Sequence, residues 1–218
     1  MIIDFFSGSG TTAHAVMQLN AEDGGTRKCI SVQLPEPTDE KSEAFKDGYT
    51  TIAEITKERI RRAGEKIKKE NSEDTINNLD IGFKAFKLDS SNITAWDGNP
   101  DILEQQLDVF ANNIKSNRTE EDILFEILLK YGLDLTVAIE EKNIAGKMVY
   151  NVGLGTLFIC LADGITPQVS EGIGAWKQEQ NPTICRAIFK DSGFASDKDK
   201  VNAMQILKRF GIEEVNSI

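Results

Sequence analysis

A glycine-rich turn near the start of the chain is the feature with the clearest chemistry. Residues 4–14, D-F-F-S-G-S-G-T-T-A-H, join a short apolar segment to a run that is typical of a helix. Glycine lets a ligand approach the backbone where a Cβ atom would collide, and the N-terminus of the following helix offers N–H groups and the positive end of its dipole. The turn is therefore a candidate binding site for the charged part of a nucleotide-like ligand.

Three ligand classes use such a turn. A Walker A loop for ATP needs a lysine that this turn lacks. A nicotinamide dinucleotide prefers a third glycine, where Ala13 stands, and an acidic residue at the end of the second strand, where Gln33 stands. S-adenosyl-L-methionine fits better, since Asp4 could hold its ammonium group and the helix N-terminus at residues 9–12 could hold its carboxylate. A nicotinamide oxidoreductase stays a rival hypothesis with less support.

Hydrophobic periodicity predicts the elements that position the turn. Residues 2–6 are expected to form a strand, residues 11–19 a helix, and residues 28–34 a second strand closed by prolines. A long amphipathic helix is expected over residues 49–69; its basic run could contact phosphate, although a solvated face is the commoner use of such a run. A further strand, partly buried on both faces, is expected over residues 82–88.

The second half of the chain is expected to form a small α+β domain. Two helices are expected first, over residues 99–114 and 119–132. The second helix is apolar on almost every side at residues 123–129, so it lies either at the centre of a fold or against another subunit. An antiparallel meander of three strands is expected over residues 135–161, followed by a helix from residue 166 onward that two glycines weaken. The last elements are a strand at 183–189, a helix at 197–210 and a short strand at 212–218.

Net charge, cysteine content and hydrophobicity exclude several classes of protein and of binding site. The net charge of −10 over 218 residues argues against strong nucleic-acid binding by this chain alone, because neutralising phosphates supplies most non-specific affinity. Three scattered cysteines and one histidine favour buried free thiols over a disulfide framework or a metal site. Without an apolar run long enough to span a bilayer or a secretory leader, the chain is expected in the cytoplasm, away from membranes.

The full string D-F-F-S-G-S-G-T-T-A-H-A-V closely resembles the cofactor-binding motif of the β-class DNA amino-methyltransferases, D-x-F-x-G-S-G-T-T, which methylate adenine or cytosine at the exocyclic nitrogen. The resemblance continues in R-K-C-I-S-V-Q-L-P-E-P-T, F-K-A-F-K-L-D-S-S-N-I-T-A-W and F-K-D-S-G-F-A-S-D-K-D-K-V-N-A-M-Q-I-L-K. Together these stretches resemble the C-terminal part of the modification (Mod) subunit of type III restriction-modification systems. The resemblance implies an α/β fold, with part of a Rossmann-like methyltransferase sheet in residues 1–98 and an interaction domain in residues 99–218.

The resemblance also implies which residues bind S-adenosyl-L-methionine. In this family the catalytic D-P-P-Y tetrapeptide and the target-recognition region precede the glycine turn, and this sequence holds no Pro-Pro pair. No catalytic residue is therefore predicted, the sequence is expected to begin inside the methyltransferase domain, and the chain alone is expected to be inactive. The implied cofactor-binding residues are Asp4, Phe6, Ser7, Gly8, Ser9, Gly10, Thr11 and Thr12, with Gln33 or Glu36 as the ribose ligand.

The partners implied by the resemblance are DNA, through the upstream region, a second Mod subunit and the restriction (Res) subunit. The apolar residues 123–129, together with the stripe of residues 103–114, are the hypothetical subunit contact. A non-catalytic assembly module is the alternative function; in it the second domain serves Mod–Mod or Mod–Res contacts and the glycine turn is a remnant.

Overall fold

The computed structural model describes residues 1–94 and 113–218, and the chain divides into two units, Met1–Lys87 and Leu88–Ile218. The domain boundary predicted between residues 98 and 99 lies outside the described residues. So does most of the helix predicted over residues 99–114. Helices and strands occur in both units, so the architecture is of the mixed α/β type that the sequence predicts.

The first unit contains two short parallel strands and four helices. The strands pair from Ile2 with Cys29 to Asp4 with Ser31, and so are shorter than predicted. Buried side chains of the first and third helices, among them Met17 and Ile60, pack together as the core. The elements are β1 (Ile2–Asp4), α1 (Thr11–Asp23), β2 (Cys29–Ser31), α2 (Glu43–Lys46), α3 (Ile52–Glu70) and α4 (Glu73–Ile76).

Local signals explain where the two long helices of this unit begin and end. Helix α1 ends because Gly24 adopts a φ of +69° and donates its N–H to the carbonyl of Asn20, an arrangement that favours glycine. Helix α3 begins after its N-cap residue Thr51, whose hydroxyl accepts the N–H of Glu54 at 3.3 Å. The predicted helix positions 11–19 and 49–69 are thus confirmed, with shifted ends.

The strand predicted over residues 82–88 is wrong. These residues are all described, and they form no strand; Phe83 and Phe86 are exposed, and Leu88 is 99% exposed. The alternation of apolar residues breaks at Phe86, and an extended segment becomes a strand only where a neighbouring strand accepts its hydrogen bonds. The sequence pattern identified the apolar side chains, but strand pairing depends on residues distant in the chain, which the pattern does not contain.

The second unit is built on a mixed sheet, which in the described residues has five strands in the order β3-β4-β5-β6-β7. The first three strands form the predicted antiparallel meander, whereas the last three are parallel. The parallel pairs arise because two helices carry the chain back between them, a feature that the predicted α+β domain did not include. The elements are α5 (Glu120–Lys130), β3 (Ile139–Ile144), β4 (Lys147–Val152), β5 (Leu157–Cys160), α6 (Pro167–Gln180), β6 (Arg186–Phe189), α7 (Asp197–Arg209) and β7 (Glu214–Ser217).

Helices cover both faces of this sheet. On β5 the side chains alternate: Leu157 and Ile159 join the cluster formed with α5, while Phe158 and Cys160 join the cluster formed with α6 and α7. All four residues are buried, so β5 lies at the centre of three layers. Cys160 and Cys185 are buried free thiols, as predicted, and Cys29 is half-buried.

Helix α5 is part of this core. It begins at a capping box, in which Thr119 and Asp122 bond to each other's backbone N–H groups. Ile127 and Leu128 are buried against the sheet, and Leu128 is 0% exposed, whereas Leu129 is 63% exposed. The first of the two alternatives for this apolar helix is therefore correct, and Ile127 and Leu128 are not available for the hypothetical subunit contact.

The two glycines of α6 permit close packing. A Cβ atom on Gly174 would lie 2.2 Å from the ring of Phe210, and one on Gly172 would lie 2.3 Å from Cγ2 of Ile144. Atoms cannot approach that closely, so the helix can lie where it does because these two positions lack side chains. The glycines that weaken α6 as an isolated helix are thus required by its contacts.

Candidate functional site

The glycine turn lies at the edge where the two parallel strands of the first unit end. β1 ends at Asp4, whose carbonyl accepts the N–H of Val32 at 2.8 Å, and the N–H of Ser7 donates back to the carbonyl of Val32 at 3.1 Å. These bonds fasten the start of the turn to the segment after β2. Ligands of parallel α/β sheets bind at this edge, beyond the carboxyl ends of the strands.

Two residues of the turn need glycine's conformational freedom. Gly8 has a φ of +53° and Gly10 a φ of +78°, both in the left-handed region. A Cβ atom on Gly10 would also lie 3.0 Å from Cγ2 of Thr56. The turn closes through the N–H of Gly10, which donates to the carbonyl of Ser7 at 2.8 Å, and α1 begins immediately afterwards.

The start of α1 remains suited to an anion. The N-cap residue of α1 is Gly10, which has no side chain to cap the helix, and the first turn of the helix contains no acidic residue. The N–H groups at the start of a helix have no partner within it, and the helix dipole is positive there. Ser9 and Thr11 add hydroxyl groups, whose oxygens lie 3.4 Å apart.

Ser7 contains an unpaired buried hydroxyl. Its side chain is 6% exposed, and its Oγ atom has no hydrogen-bond partner among the described residues. Leaving a buried hydroxyl without a partner costs about 1–3 kcal/mol, so such atoms are often at binding sites. The turn therefore fits a ligand with a charged or polar end.

Gln33 holds the middle of the turn. Its Oε1 atom accepts the N–H of Gly8 at 2.8 Å, and its Nε2 atom donates to the carbonyl of Leu34 at 3.3 Å. Glu36, the other residue predicted for the ribose, has an exposed side chain, and its carbonyl accepts the N–H of Ile52 at 2.9 Å. Of these two predicted residues, the structure brings Gln33 into contact with the turn.

The other predicted residues lie along the turn and the first turn of α1. Asp4 is half-buried at the end of β1, and the ring of Phe6 is 79% exposed. Thr11 is exposed and Thr12 is half-buried. The predicted residues from Asp4 to Thr12 thus form one contiguous segment at the carboxyl edge of the sheet.

Helix α3 supplies two contacts that the sequence analysis missed. The Thr56 hydroxyl lies within hydrogen-bonding distance of the Gly8 carbonyl, and the Arg59 Nη1 atom donates to the Ser9 Oγ atom at 2.8 Å. One signal was present in the sequence. Thr56 occupies a buried position between Ile52 and Ile60 on the helix, where the apolar stripe is interrupted by a hydroxyl.

Apolar side chains near the turn are exposed. Ile3 pairs with Ile30 in the sheet, and both are exposed. The neighbouring exposed apolar residues of this unit are Phe5, Phe6, Val32 and Leu34. Apolar surface of this kind commonly marks a place where other protein structure packs.

No family model matches the chain. The Mod subunit of the type III restriction-modification enzyme EcoP15I from Escherichia coli is 37% identical over 199 residues, which are 91% of this chain and 29% of that protein. The Mod subunit of StyLTI from Salmonella typhimurium is 47% identical over 88 residues, 40% of this chain and 13% of that protein. The chain is homologous to type III Mod subunits.

The chain is also similar to a type II methyltransferase. M.KpnI from Klebsiella pneumoniae is 47% identical over 60 residues, 28% of this chain and 14% of that protein. The chain spans 29% of the length of the EcoP15I Mod subunit. Among its described residues, no helix has the length and apolar character needed to cross a membrane.

Proposed function

We propose that this chain is the cofactor-binding and C-terminal portion of a site-specific DNA adenine-N6 methyltransferase, the modification subunit of a type III restriction-modification system. The observation that carries the proposal is the glycine turn at the carboxyl edge of parallel strands in a homologue of Mod subunits. In this proposal β1 and β2 belong to a Rossmann-like sheet, and the system acts in the cytoplasm.

The turn would hold S-adenosyl-L-methionine by its amino-acid end. The cofactor, when bound, supplies a methyl group that its sulfonium already activates. Asp4, at the end of β1, would accept hydrogen bonds from the ammonium group. Ser7, Ser9 and the N–H groups of the first turn of α1 would donate to the carboxylate, where the helix dipole favours negative charge. The exposed ring of Phe6 would pack beside the cofactor.

Glu36 is the better candidate for the ribose. The amide oxygen of Gln33 already accepts the N–H of Gly8, so its carbonyl is directed to the turn. The carboxylate of Glu36 is exposed and would form charge-assisted bonds with the ribose hydroxyls. We therefore assign Gln33 to shaping the turn and Glu36 to the ribose.

The catalytic residues would be supplied from outside this sequence. The chain contains no Pro-Pro pair and therefore no D-P-P-Y tetrapeptide, so we expect no methyl transfer by this chain alone. The exposed apolar residues around Ile3 and Ile30 support an upstream region that covers the sheet. That region would also bind DNA, while further contacts join a second Mod subunit and the Res subunit.

Calorimetric titration of the full chain with S-adenosylmethionine, S-adenosylhomocysteine and NAD tests the proposal. We expect binding of the first two and none of NAD, and no methylation of DNA by the isolated chain. The alternative, a non-catalytic assembly module, predicts self-association without affinity for any of the three ligands. Turnover on DNA by the isolated chain would contradict the assignment of the catalytic residues to another segment.

A further inference from the structure

Arg59 lies on the side of α3 that meets the glycine turn. Its Nη1 atom donates to Ser9 Oγ at 2.8 Å, and Thr56, one helical turn earlier, contacts the Gly8 carbonyl. Residues three positions apart lie on the same face of a helix. Helix α3 therefore presents a hydroxyl and a guanidinium group side by side to the two middle residues of the turn.

The other basic side chains of α3 that form ion pairs do so with carboxylates of the same helix. Their partners are carboxylates three or four residues away, in the pairs Lys57–Glu54, Arg61–Glu58, Arg62–Glu58, Lys66–Glu70 and Lys68–Glu65. Arg59, by contrast, has no carboxylate partner within residues 1–94 and 113–218. A half-buried guanidinium directed to a binding turn, rather than to a neighbouring acid, is a charge that a ligand could pair with.

Arginine can hold the turn and a ligand at once. A guanidinium group carries five N–H donors in a planar fork, and Ser9 occupies one of them. Carboxylates accept two parallel bonds from such a fork, which orients them as well as attracting them. Ser9 would thus fix the plane of the guanidinium while its remaining donors face an acceptor at the turn.

We propose that Arg59 binds the carboxylate of the methionine moiety of the methyl donor. The inference rests on the proposed function, in which the amino-acid end of the donor lies at this turn. That end is a zwitterion: Asp4 provides a negative charge for the ammonium group, and Arg59 is the cation that hydrogen-bonds to the turn. The bond from Arg59 to Ser9 links α3 to the same site.

The competing interpretation gives Arg59 a structural role alone, in which it fastens α3 to Ser9. The two roles differ in their dependence on the ligand. Decarboxylated S-adenosylmethionine retains the ammonium, sulfonium and adenosine groups but lacks the carboxylate. A carboxylate-binding arginine discriminates between the two compounds, whereas a structural arginine affects both equally.

The experiment is an NMR titration of the full chain labelled with nitrogen-15, in which the shifts of the amide signals measure affinity. S-adenosylmethionine and its decarboxylated analogue are each added into the millimolar range. In Arg59→Gln, affinity for S-adenosylmethionine should fall roughly tenfold, because hydrogen bonds to a charged group are lost, while affinity for the analogue is unchanged. Arg61→Gln is the matched control: the same change two residues away, at an exposed side chain paired with Glu58, should leave both affinities unchanged.

The outcomes separate the two levels of the proposal. If Arg59→Gln weakens both compounds equally, or neither, Arg59 does not bind the carboxylate, although the proposed function stands. If the unmodified chain does not bind S-adenosylmethionine, the proposed function itself fails. If Arg59→Gln does not fold, Arg59→Lys is the test, because lysine keeps the charge but lacks the planar fork of donors. Its affinity for S-adenosylmethionine should fall a fewfold, while its affinity for the analogue stays the same. Unchanged affinity for S-adenosylmethionine would overturn the assignment.

Discussion

The amide oxygen of Gln33 accepts a hydrogen bond from the backbone N–H of Gly8 at 2.8 Å. A side chain that follows the second strand therefore supports the middle of the turn that follows the first. The two residues that the sequence leaves as alternatives for the ribose therefore differ in their surroundings: Gln33 bonds to the turn, whereas the side chain of Glu36 is exposed.

The first prediction separates the roles of these two residues. Gln33→Leu removes the acceptor for Gly8 and should lower the free energy of unfolding by about 1 kcal/mol. Glu36→Gln should leave the unfolding free energy unchanged and weaken binding of S-adenosylhomocysteine. Urea denaturation and calorimetry measure the two effects. The opposite pattern, with stability dependent on Glu36, would reverse the assignment.

The second prediction concerns Gly10. Gly10→Ala places a side chain at a φ of +78° and brings a Cβ atom within 3.0 Å of Thr56, so it should destabilise the first unit by about 2 kcal/mol. Gly24→Ala, at the other end of α1, is the control: it has a φ of +69°, but no described atom lies within 4 Å of its Cβ position. Thermal denaturation should show a smaller loss, about 1 kcal/mol, for the control. Equal losses would mean that contact with α3 does not constrain the turn.

The third prediction concerns the close approach at Gly174. Replacing glycine by alanine inside a helix usually stabilises it by about 1 kcal/mol. Gly174→Ala should instead destabilise the second unit by about 2 kcal/mol, since the new methyl group would overlap the ring of Phe210. A double-mutant cycle with Phe210→Ala measures the coupling, and the second substitution should recover part of the loss. Additive effects would contradict this packing.

The fourth prediction contrasts two neighbouring leucines in α5. Leu128→Ala should cost about 3 kcal/mol, because Leu128 is fully buried, whereas Leu129→Ala should change the unfolding free energy by less than about 0.5 kcal/mol. Urea denaturation of both variants measures the difference. A variant with Ile127→Asp and Leu128→Asp should unfold the second unit rather than yield a folded monomer. If light scattering showed a dimer for the unmodified chain and a monomer for this variant, and circular dichroism showed that the variant is folded, the subunit contact at this helix would be restored.

The fifth prediction is a pH dependence. Burial, followed by the negative charge of Glu120 at 3.1 Å from the phenol oxygen, raises the pKa of Tyr150 from 10.0 to about 12. Folding therefore favours the protonated phenol; this stabilisation is complete below pH 10 and is lost as the pH rises through 12. Urea midpoints measured from pH 9 to 12 should fall more steeply for the unmodified chain than for Tyr150→Phe. Parallel curves would place the phenol in contact with solvent.

Local signals account for the parts of the fold that the sequence predicted. The turn with its two glycines, the capping box of Thr119 and Asp122, and the stop of α1 at Gly24 each depend on residues within a few positions. The prediction of a strand at residues 82–88 is wrong because strand pairing depends on residues distant in the chain, which local alternation cannot reveal. The contacts of Arg59 and Thr56 with the turn were not predicted for a related reason. They join residues about fifty positions apart, and the spacing of the motif does not indicate residues of α3.

The hydrogen bonds that hold the glycine turn affect the entropy cost of ligand binding. Gln33 and Thr56 bond to the backbone of Gly8, and Arg59 bonds to the side chain of Ser9, so we expect the turn to be ordered before a ligand binds. A preorganised loop loses little conformational entropy on binding. Association should therefore proceed in a single kinetic phase, without a slow rearrangement of the loop, and cutting the chain between α3 and the turn would remove that advantage even if every ligand-contacting atom remained.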